Sequence, residues 1–184
     1  MASALSEARN DGGVVTRAAA DGLTTIDEAD AVQRDVAVRS MQPRVGWKVG
    51  ATSDIAQRLF DIDGPALAPM FADHVFDSPA EVAIFTGQDI SVECEFAFRF
   101  AHGLPPREAP YVREEVLDAV AAVMPAIEVV GCRFEGGFKD LGPLRLVAGM
   151  MAHAERVKGL EHEDWRGLDL KVHPARLYRG EDQK

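Results

Sequence analysis

The sequence predicts a soluble domain in which helical segments come first and β-strands follow. Three observations carry this prediction: a length of 184 residues with 47% hydrophobic content, a helix-capping pattern that starts at Thr25, and strict alternation of apolar and polar residues over 90–100. A chain of this length can bury one sizeable core. Its composition is typical of a globular protein and excludes global disorder or a disulfide scaffold.

The charge balance disfavours nucleic-acid and membrane-surface partners. The chain has 20 Lys and Arg against 30 Asp and Glu, a net charge of -10, and its basic residues are scattered. No apolar run approaches the ~20 residues that cross a bilayer, and the N-terminus lacks a hydrophobic signal core. The two cysteines, Cys94 and Cys132, form no CxxC pair. We therefore expect a cytoplasmic protein with reduced thiols.

The N-terminal part is predicted to be helical. Thr25 and Glu28 have the spacing of a capping box, and apolar residues follow at helical spacing as far as Met41. The segment 44–52 is rich in glycine and β-branched residues, which predicts a short strand. The segment 61–80 is rich in Asp, Pro and Gly and predicts a loop.

The middle of the chain contains the clearest strand, over residues 90–100. Its apolar face carries Ile90, Val92, Cys94, Phe96, Phe98 and Phe100, and its other face carries Ser91, Glu93, Glu95, Ala97 and Arg99. The segment 111–124 then predicts an amphipathic helix. Pro125 should end that helix because proline lacks the amide donor, and 126–131 predicts a buried strand.

The C-terminal part is predicted to be helical over some of 144–158, with short β segments at 168–173 and 175–180. The sequence after the last segment is typical of a turn, and it offers no returning strand. A single edge strand would leave its backbone donors and acceptors unpaired. We therefore expect a chain truncated at its C-terminus, with an incomplete sheet.

Two acidic features indicate a candidate metal site. Glu93 and Glu95 lie on the same face of the predicted strand, where like charges are stable if they are solvated or if a cation lies between them. Glu128 is a lone acid in an apolar segment, which fits either a solvated alternate face or a partner for Arg133. If the two strands are neighbours, three carboxylates converge, as Mg²⁺ or Mn²⁺ would require.

Two basic residues are candidates for binding an anionic ligand. Alternation places Lys48 on one face with Gly46 and Gly50, which predicts open space around its ammonium group. A surface lysine on an edge strand is the alternative. Arg133 follows the Glu128 segment and could clamp a carboxylate through its planar guanidinium, or form an ordinary salt bridge.

These residues, in this order, resemble the branch of the fumarylacetoacetase-like superfamily that contains 2-keto-4-pentenoate hydratase and 4-oxalocrotonate decarboxylase. The stretches that carry the resemblance are 27–33, 46–53, 92–98, 124–134 and 146–159. Related hydrolases generally have Asp at the position of Glu128, which favours this branch. Two departures stand out: relatives commonly have Asp where this chain has Gly149, followed by Met150, and they continue well beyond residue 184.

The resemblance implies an α+β fold, with an N-terminal helical arm over 1–43 and a catalytic domain over 44–184 built on a curved mixed β-sheet roll. It implies a divalent metal, Mg²⁺ or Mn²⁺, held by Glu93, Glu95 and Glu128, and a substrate site at Lys48. We add Arg133 as a second residue for the substrate carboxylate.

The activity implied is that of a hydratase (lyase) in aromatic-compound catabolism. It would add water to a small 2-hydroxy-2,4-dienoate, such as 2-hydroxypenta-2,4-dienoate, and give a 4-hydroxy-2-oxo acid. The alternatives are a 4-oxalocrotonate-type decarboxylase, or a catalytically inactive homologue that serves as a partner subunit. A homo-oligomer is expected, with a decarboxylase as a further candidate partner.

Overall fold

The computed structural model describes residues 1–183 as five α-helices and eight β-strands, joined by short 3-10 turns and loops. The helices are α1 (Ala2–Asp11), α2 (Ile26–Ser40), α3 (Asp54–Phe60), α4 (Arg113–Ala119) and α5 (Pro143–Ala148). The strands are β1 (Arg44–Gly50), β2 (Ala66–Phe71), β3 (Val75–Asp77), β4 (Asp89–Phe100), β5 (Val120–Cys132), β6 (His153–Lys158), β7 (Tyr178–Arg179) and β8 (Asp182–Gln183).

A four-stranded mixed sheet forms the centre of the molecule, in the order β3-β6-β5-β4. Strand β3 runs parallel to β6, whereas β5 pairs antiparallel with both β6 and β4. Strands β1 and β2 form a separate antiparallel pair. Helices combined with a mixed sheet confirm the predicted α+β class.

The N-terminal helices share a core with the sheet. Leu5 of α1 and Val36 of α2 lie in the same buried cluster as Val130 of β5. Helix α2 begins at the predicted capping box: the Glu28 amide donates to Thr25 Oγ1 at 3.2 Å, and Glu28 Oε2 accepts from the Thr25 amide at 3.2 Å. The predicted helix is confirmed, and it packs against α1 and α5.

The prediction of a loop over 61–80 is wrong in part, because this segment contains β2 and β3. Strand β2 pairs with β1 in a register that sets Lys48 opposite Ala68. The proline and aspartate content suggested a loop, but β2 has a partner on only one side, and edge strands tolerate proline.

The predicted helix over 111–124 is also wrong in its second half. Helix α4 ends at Ala119, and the chain continues directly into β5, which passes through Pro125. Twelve residues of β4 pair with β5, and this long ladder outweighs the local helical pattern. Pro125 is tolerated because the β5–β6 ladder ends at the adjacent pair Ala126–Lys158, so no strand bond needs a Pro125 amide. The Pro125 carbonyl still accepts a hydrogen bond from the Gly159 amide at 2.8 Å.

The C-terminal predictions are mixed. Helix α5 lies inside the segment predicted to be partly helical, but 168–173 contains no strand. The second predicted β segment contains β7, and β8 returns to pair with it, so the expectation that no strand returns is wrong. The tight turn at Gly180, with a φ of 63°, allows this short hairpin.

Among the described residues, no helix combines the length and the apolar composition needed to cross a membrane.

Candidate metal centre

The centre of the candidate site is a cross-strand pair of glutamates on β4 and β5. Glu93 lies directly opposite Glu128 in the ladder, and Glu95 follows two residues along on the same face. One carboxylate oxygen from each of the three residues lies within 4.8 Å of the others. Like charges placed opposite each other destabilise a sheet unless a cation compensates them. The structure thus brings together the three acids that the sequence analysis singled out.

The three carboxylates differ in their access to solvent. The Glu128 side chain is 0% exposed, whereas those of Glu95 and Glu93 are 23% and 51% exposed. Burial raises the pKa of Glu93 and of Glu95 above the ordinary range, and the charge of Glu128 raises both further. The cluster is therefore short of positive charge, open to solvent on one side and closed at Glu128.

Lys48 lies beside the buried member of the cluster. Its Nζ is 2.9 Å from Glu128 Oε2 and 3.9 Å from Glu93 Oε2, and it donates to the Met151 carbonyl at 3.3 Å. The expected open space around the lysine is absent. A Cβ at Gly46 would lie 2.7 Å from Met70 Cε, and one at Gly50 would lie 3.0 Å from Met151 Cε. Methionine side chains occupy the space that the two glycines leave free.

Arg156 is a second cation in the cluster that the sequence analysis missed. It lies opposite Glu128 in the β5–β6 ladder, and its Nη2 is 2.5 Å from Glu95 Oε2 and 3.8 Å from Glu128 Oε2. Its side chain is 5% exposed. Alternation within β6 places Arg156 on one face with Lys158, but only the pairing with β5 shows which face meets the glutamates.

His153 is the other residue that sequence reasoning missed, and no spacing in the sequence marks it. Its Nδ1 lies 2.7 Å from Glu128 Oε1, and both side chains are fully buried. Burial, together with the charge of Arg9, lowers the pKa of His153 well below its usual range. Nδ1 is the ring nitrogen that donates in this pair, because an ionised carboxylate can only accept.

Arg133 does not reach this cluster, and the predicted substrate contact finds no support in the geometry. Its guanidinium donates to the Gly149 carbonyl at 3.2 Å and to the His153 carbonyl at 2.6 Å. It follows directly after the last residue of β5, and its guanidinium is directed toward the backbone of 149–153. It lines a small internal pocket with Arg9 and Glu155 instead, so it binds backbone rather than the cluster.

The donor set fits a divalent cation. Hard cations of this kind take oxygen ligands at about 2.0–2.6 Å, so two ligand oxygens can lie up to about 5 Å apart. The observed limit of 4.8 Å among the three carboxylates satisfies that geometry. Glu128 Oε2 is buried and accepts no hydrogen bond of good geometry. Its contact with Lys48 Nζ, at 2.9 Å, is an ion pair. A buried carboxylate oxygen in this state is suited to coordinate a metal.

Comparisons with known proteins find similar sequences and similar structures. No protein-family model matches the chain. It is 32% identical over 150 residues to 2-keto-4-pentenoate hydratase of Paraburkholderia xenovorans (strain LB400) and, to the same extent, to 2-keto-4-pentenoate hydratase 3 of Pseudomonas putida. These alignments cover 80% of this chain and 54% of each relative. The chain thus spans about half the length of the curated relatives that it matches.

Solved structures show the same fold. Two structures of 4-oxalocrotonate decarboxylase from Pseudomonas putida G7 superpose on this chain. One, complexed with magnesium and adipate, gives a TM-score of 0.70 at 19% identity and covers 86% of this chain and 60% of its own. The other, complexed with calcium and acetate, gives 0.74 at 18% identity and covers 92% and 64%. The resemblance seen in the sequence is confirmed: the chain is similar to 2-keto-4-pentenoate hydratases and shares the fold of 4-oxalocrotonate decarboxylase.

Proposed function

We propose that this chain carries the active centre of a metal-dependent hydratase in aromatic-compound catabolism. The reaction adds water to a small 2-hydroxy-2,4-dienoate, such as 2-hydroxypenta-2,4-dienoate, and gives a 4-hydroxy-2-oxo acid. The observation that carries the proposal is the convergence of Glu93, Glu95 and Glu128, with Lys48 beside them, in a chain related to hydratases of this name.

Glu93, Glu95 and Glu128 hold the divalent cation, Mg²⁺ or Mn²⁺. When bound, the cation acts as a Lewis acid that polarises the oxygen atoms of a 2-oxo or 2-hydroxy acid. Each carboxylate has two oxygens. Glu95 can therefore accept from Arg156 with one oxygen and bind the cation with the other, and Glu128 can do the same with His153. The metals in the two decarboxylase structures support a cation of this class.

Charge favours an anionic substrate at this centre. Three glutamates against Lys48 and Arg156 sum to -1, and a divalent cation turns the sum to +1. Lys48 and Arg156 then supply donors for the substrate carboxylate from one side of the cluster. Because both side chains are almost fully buried, their ammonium and guanidinium groups attract an anion more strongly than exposed cations would.

Lys48 also serves the proton transfers. In the first step the substrate loses the proton of its 2-hydroxyl and gains one at C5, which gives a 2-oxo acid with a C3–C4 double bond. In the second step the oxygen of water bonds to C4 and gives up one proton, while a proton is delivered to C3. The Lys48 ammonium is buried within 4 Å of two carboxylates. It can donate a proton to the substrate carbon and recover one from the 2-hydroxyl in the first step and from the attacking water in the second.

The experiment is a Mn²⁺ titration with turnover of 2-hydroxypenta-2,4-dienoate, followed by the loss of the dienol absorbance. We expect metal binding and metal-dependent turnover, and Glu93→Gln should weaken the binding by more than about 100-fold and lower the turnover with it. Glu161→Gln is the matched control, because Glu161 pairs with Arg99 at the surface. A wild-type chain that binds Mn²⁺ but leaves the dienoate unchanged would refute the hydratase, and one that binds no Mn²⁺ would refute the metal site.

A decarboxylase is the second candidate, because the fold neighbours carry that name. The same centre would then stabilise the charge left by loss of CO₂ from a 2-oxo acid. Release of CO₂ from 4-oxalocrotonate, measured beside dienoate turnover, distinguishes the two reactions.

An inactive partner subunit is the third candidate, and Gly149 favours it. Relatives commonly have Asp here, yet a Cβ at this position would lie 3.0 Å from the Arg145 carbonyl and 3.4 Å from Phe134 Cε2. An aspartate therefore does not fit without movement of the neighbouring residues. Chain that binds Mn²⁺ but turns over neither substrate would support this alternative.

We further propose a cytoplasmic homo-oligomer, with a decarboxylase as a candidate partner, and we keep the division into a helical arm over 1–43 and a catalytic domain over 44–184. Exposed apolar side chains on the outer face of β1, with Trp47 at 48% exposure, support self-association. Light scattering during size-exclusion chromatography tests the oligomer, and a monomer at micromolar concentration would refute it.

A further inference from the structure

We propose that His153 is a positioning residue that fixes the Glu128 carboxylate, and that Arg9 and Arg133 in turn fix His153. The two arginines act on the backbone on either side of a strained segment, Met150–Ala152. This inference rests on the proposed function, because Glu128 is one of its cation ligands.

The contact between His153 and Glu128 is short and closed to water. His153 Nδ1 donates to Glu128 Oε1 over 2.7 Å, and both side chains are 0% exposed. This hydrogen bond leaves Oε2 directed toward Lys48, at 2.9 Å. A carboxylate held in one orientation has less freedom to lose when it binds a cation.

The segment before His153 is strained. Met150, Met151 and Ala152 have φ values of 61°, 51° and 55°, in the left-handed region that residues with a Cβ rarely adopt. Each such residue costs of order 1–3 kcal/mol, and the conformation persists only where the surroundings enforce it. Three in succession therefore require strong contacts at both ends of the segment.

Arg9 and Arg133 supply those contacts from two different elements. Arg133 donates to the carbonyls of Gly149 at 3.2 Å and of His153 at 2.6 Å. Arg9, on helix α1, donates to the carbonyls of His153 at 2.7 Å and of Ala154 at 3.3 Å. Both side chains are buried, and both converge on the His153 carbonyl. Together they hold the backbone before and after the strained residues.

The geometry therefore links the N-terminal helix to the metal centre. Arg9 and Arg133 hold the backbone, the backbone places the His153 ring, and the ring orients Glu128. Within the strained segment, the Met151 carbonyl accepts a hydrogen bond from Lys48 Nζ at 3.3 Å, so the same backbone also positions the lysine. Loss of an outer partner of this kind typically costs 10–100-fold in metal affinity.

The test compares His153→Leu with His153→Asn in Mn²⁺ affinity, measured by calorimetry. Leucine removes the donor, whereas the asparagine amide restores one close to the position of Nδ1. We expect His153→Leu to weaken Mn²⁺ binding about 10–100-fold and His153→Asn to recover most of it. His74→Leu is the matched control, because His74 pairs at 3.0 Å with Glu155, outside the cluster.

Three outcomes decide the inference. Folded His153→Leu protein with wild-type Mn²⁺ affinity would overturn it, as would equal losses in His153→Leu and His74→Leu. Wild-type protein that binds no Mn²⁺ would refute the proposed function instead, and the inference with it. Folding of each variant is checked by its far-ultraviolet circular dichroism.

A second measurement needs no variant at the site. In ¹⁵N-histidine-labelled wild-type protein, His153 should carry a proton on Nδ1, and Mg²⁺ should shift its ring resonances while those of His74 remain unchanged. The Nε2-protonated tautomer, or a ring that does not respond to bound Mg²⁺, would overturn the positioning role even if His153→Leu fails to fold.

Discussion

The substitution Lys48→Met probes the buried ion pair at the base of the cluster. The side chains of Lys48 and Glu128 are 6% and 0% exposed, with 2.9 Å between Nζ and Oε2. Removal of one partner from a buried pair costs about 3–5 kcal/mol, because the remaining charge is buried without compensation. Glu128 keeps His153 at 2.7 Å and Arg156 at 3.8 Å. We therefore expect the lower end of that range, about 3 kcal/mol, in metal-free protein.

A double-mutant cycle with Glu128→Gln isolates the pair. Glutamine keeps the length of the side chain and removes its charge, so Lys48→Met then leaves no lone carboxylate in the core. The double variant should lose less unfolding free energy than the sum of the single losses, by about 2–3 kcal/mol. The assay is urea unfolding followed by circular dichroism in the presence of EDTA. Lys139→Met, at an exposed lysine, is the control and should change stability by less than about 0.5 kcal/mol.

Mn²⁺ provides an independent readout of the same pair. A cation bound by Glu128 replaces the positive charge that Lys48→Met removes, so Mn²⁺ should stabilise this variant more than it stabilises wild type. Turnover should nevertheless fall by about 10²-fold or more, as expected when a general acid is lost. Additive single losses within about 0.5 kcal/mol would show that the two residues are not coupled and would refute the reasoning.

Four further predictions concern the cluster and the fold. Glu93→Gln, at a half-exposed position, should keep the fold but weaken Mn²⁺ binding by more than the roughly 100-fold loss expected for an outer partner. Burial raises the pKa of Glu93 and Glu95 above the ordinary 4.5, so their protonation stabilises the folded, metal-free protein. This stabilisation should be complete below about pH 4.5 and should be lost as the pH rises through the raised pKa values. Urea unfolding across pH 4–8 should show a smaller change of stability with pH in Glu93→Gln than in wild type. Arg156→Gln removes a cation that competes for Glu95 at 2.5 Å, so calorimetry should show tighter Mn²⁺ binding while the KM for the acid substrate rises. Thr25→Ala should cost about 1 kcal/mol in thermal unfolding by removing the cap of α2, and Mn²⁺ affinity should stay at the wild-type value.

Local patterns predicted the elements whose signals are strongest. The capping box at Thr25 and Glu28, the alternation over 90–100 and the apolar segment around Glu128 all lie in the elements that they predicted. The three glutamates could be proposed together because alternation fixes the face of Glu93 and Glu95, and burial in an apolar segment makes Glu128 conspicuous. The resemblance to the hydratase and decarboxylase branch then implied that these three glutamates hold one divalent metal.

Local patterns failed where pairing between distant strands decides the conformation. Val120–Met124 has a helical pattern but joins β5, because the ladder with β4 satisfies more backbone groups than one further helical turn would. Ala66–Phe71 looks like a loop but pairs with β1 for the same reason. In both cases the partner strand lies more than fifteen residues away, outside any local window.

The sequence by itself therefore determined the acids of the candidate site, the helix cap and the strand that presents Glu93 and Glu95. Only the tertiary structure decided which cations meet those acids. Arg156 enters the cluster through the β5–β6 register, whereas Arg133 is directed away from it by hydrogen bonds to the carbonyls of Gly149 and His153. His153 reaches Glu128 through a strained turn that no local preference favours. The physical reason is that side-chain direction along one strand follows from its period of two residues, whereas contacts between strands depend on register, and register is set by the packing of the whole sheet.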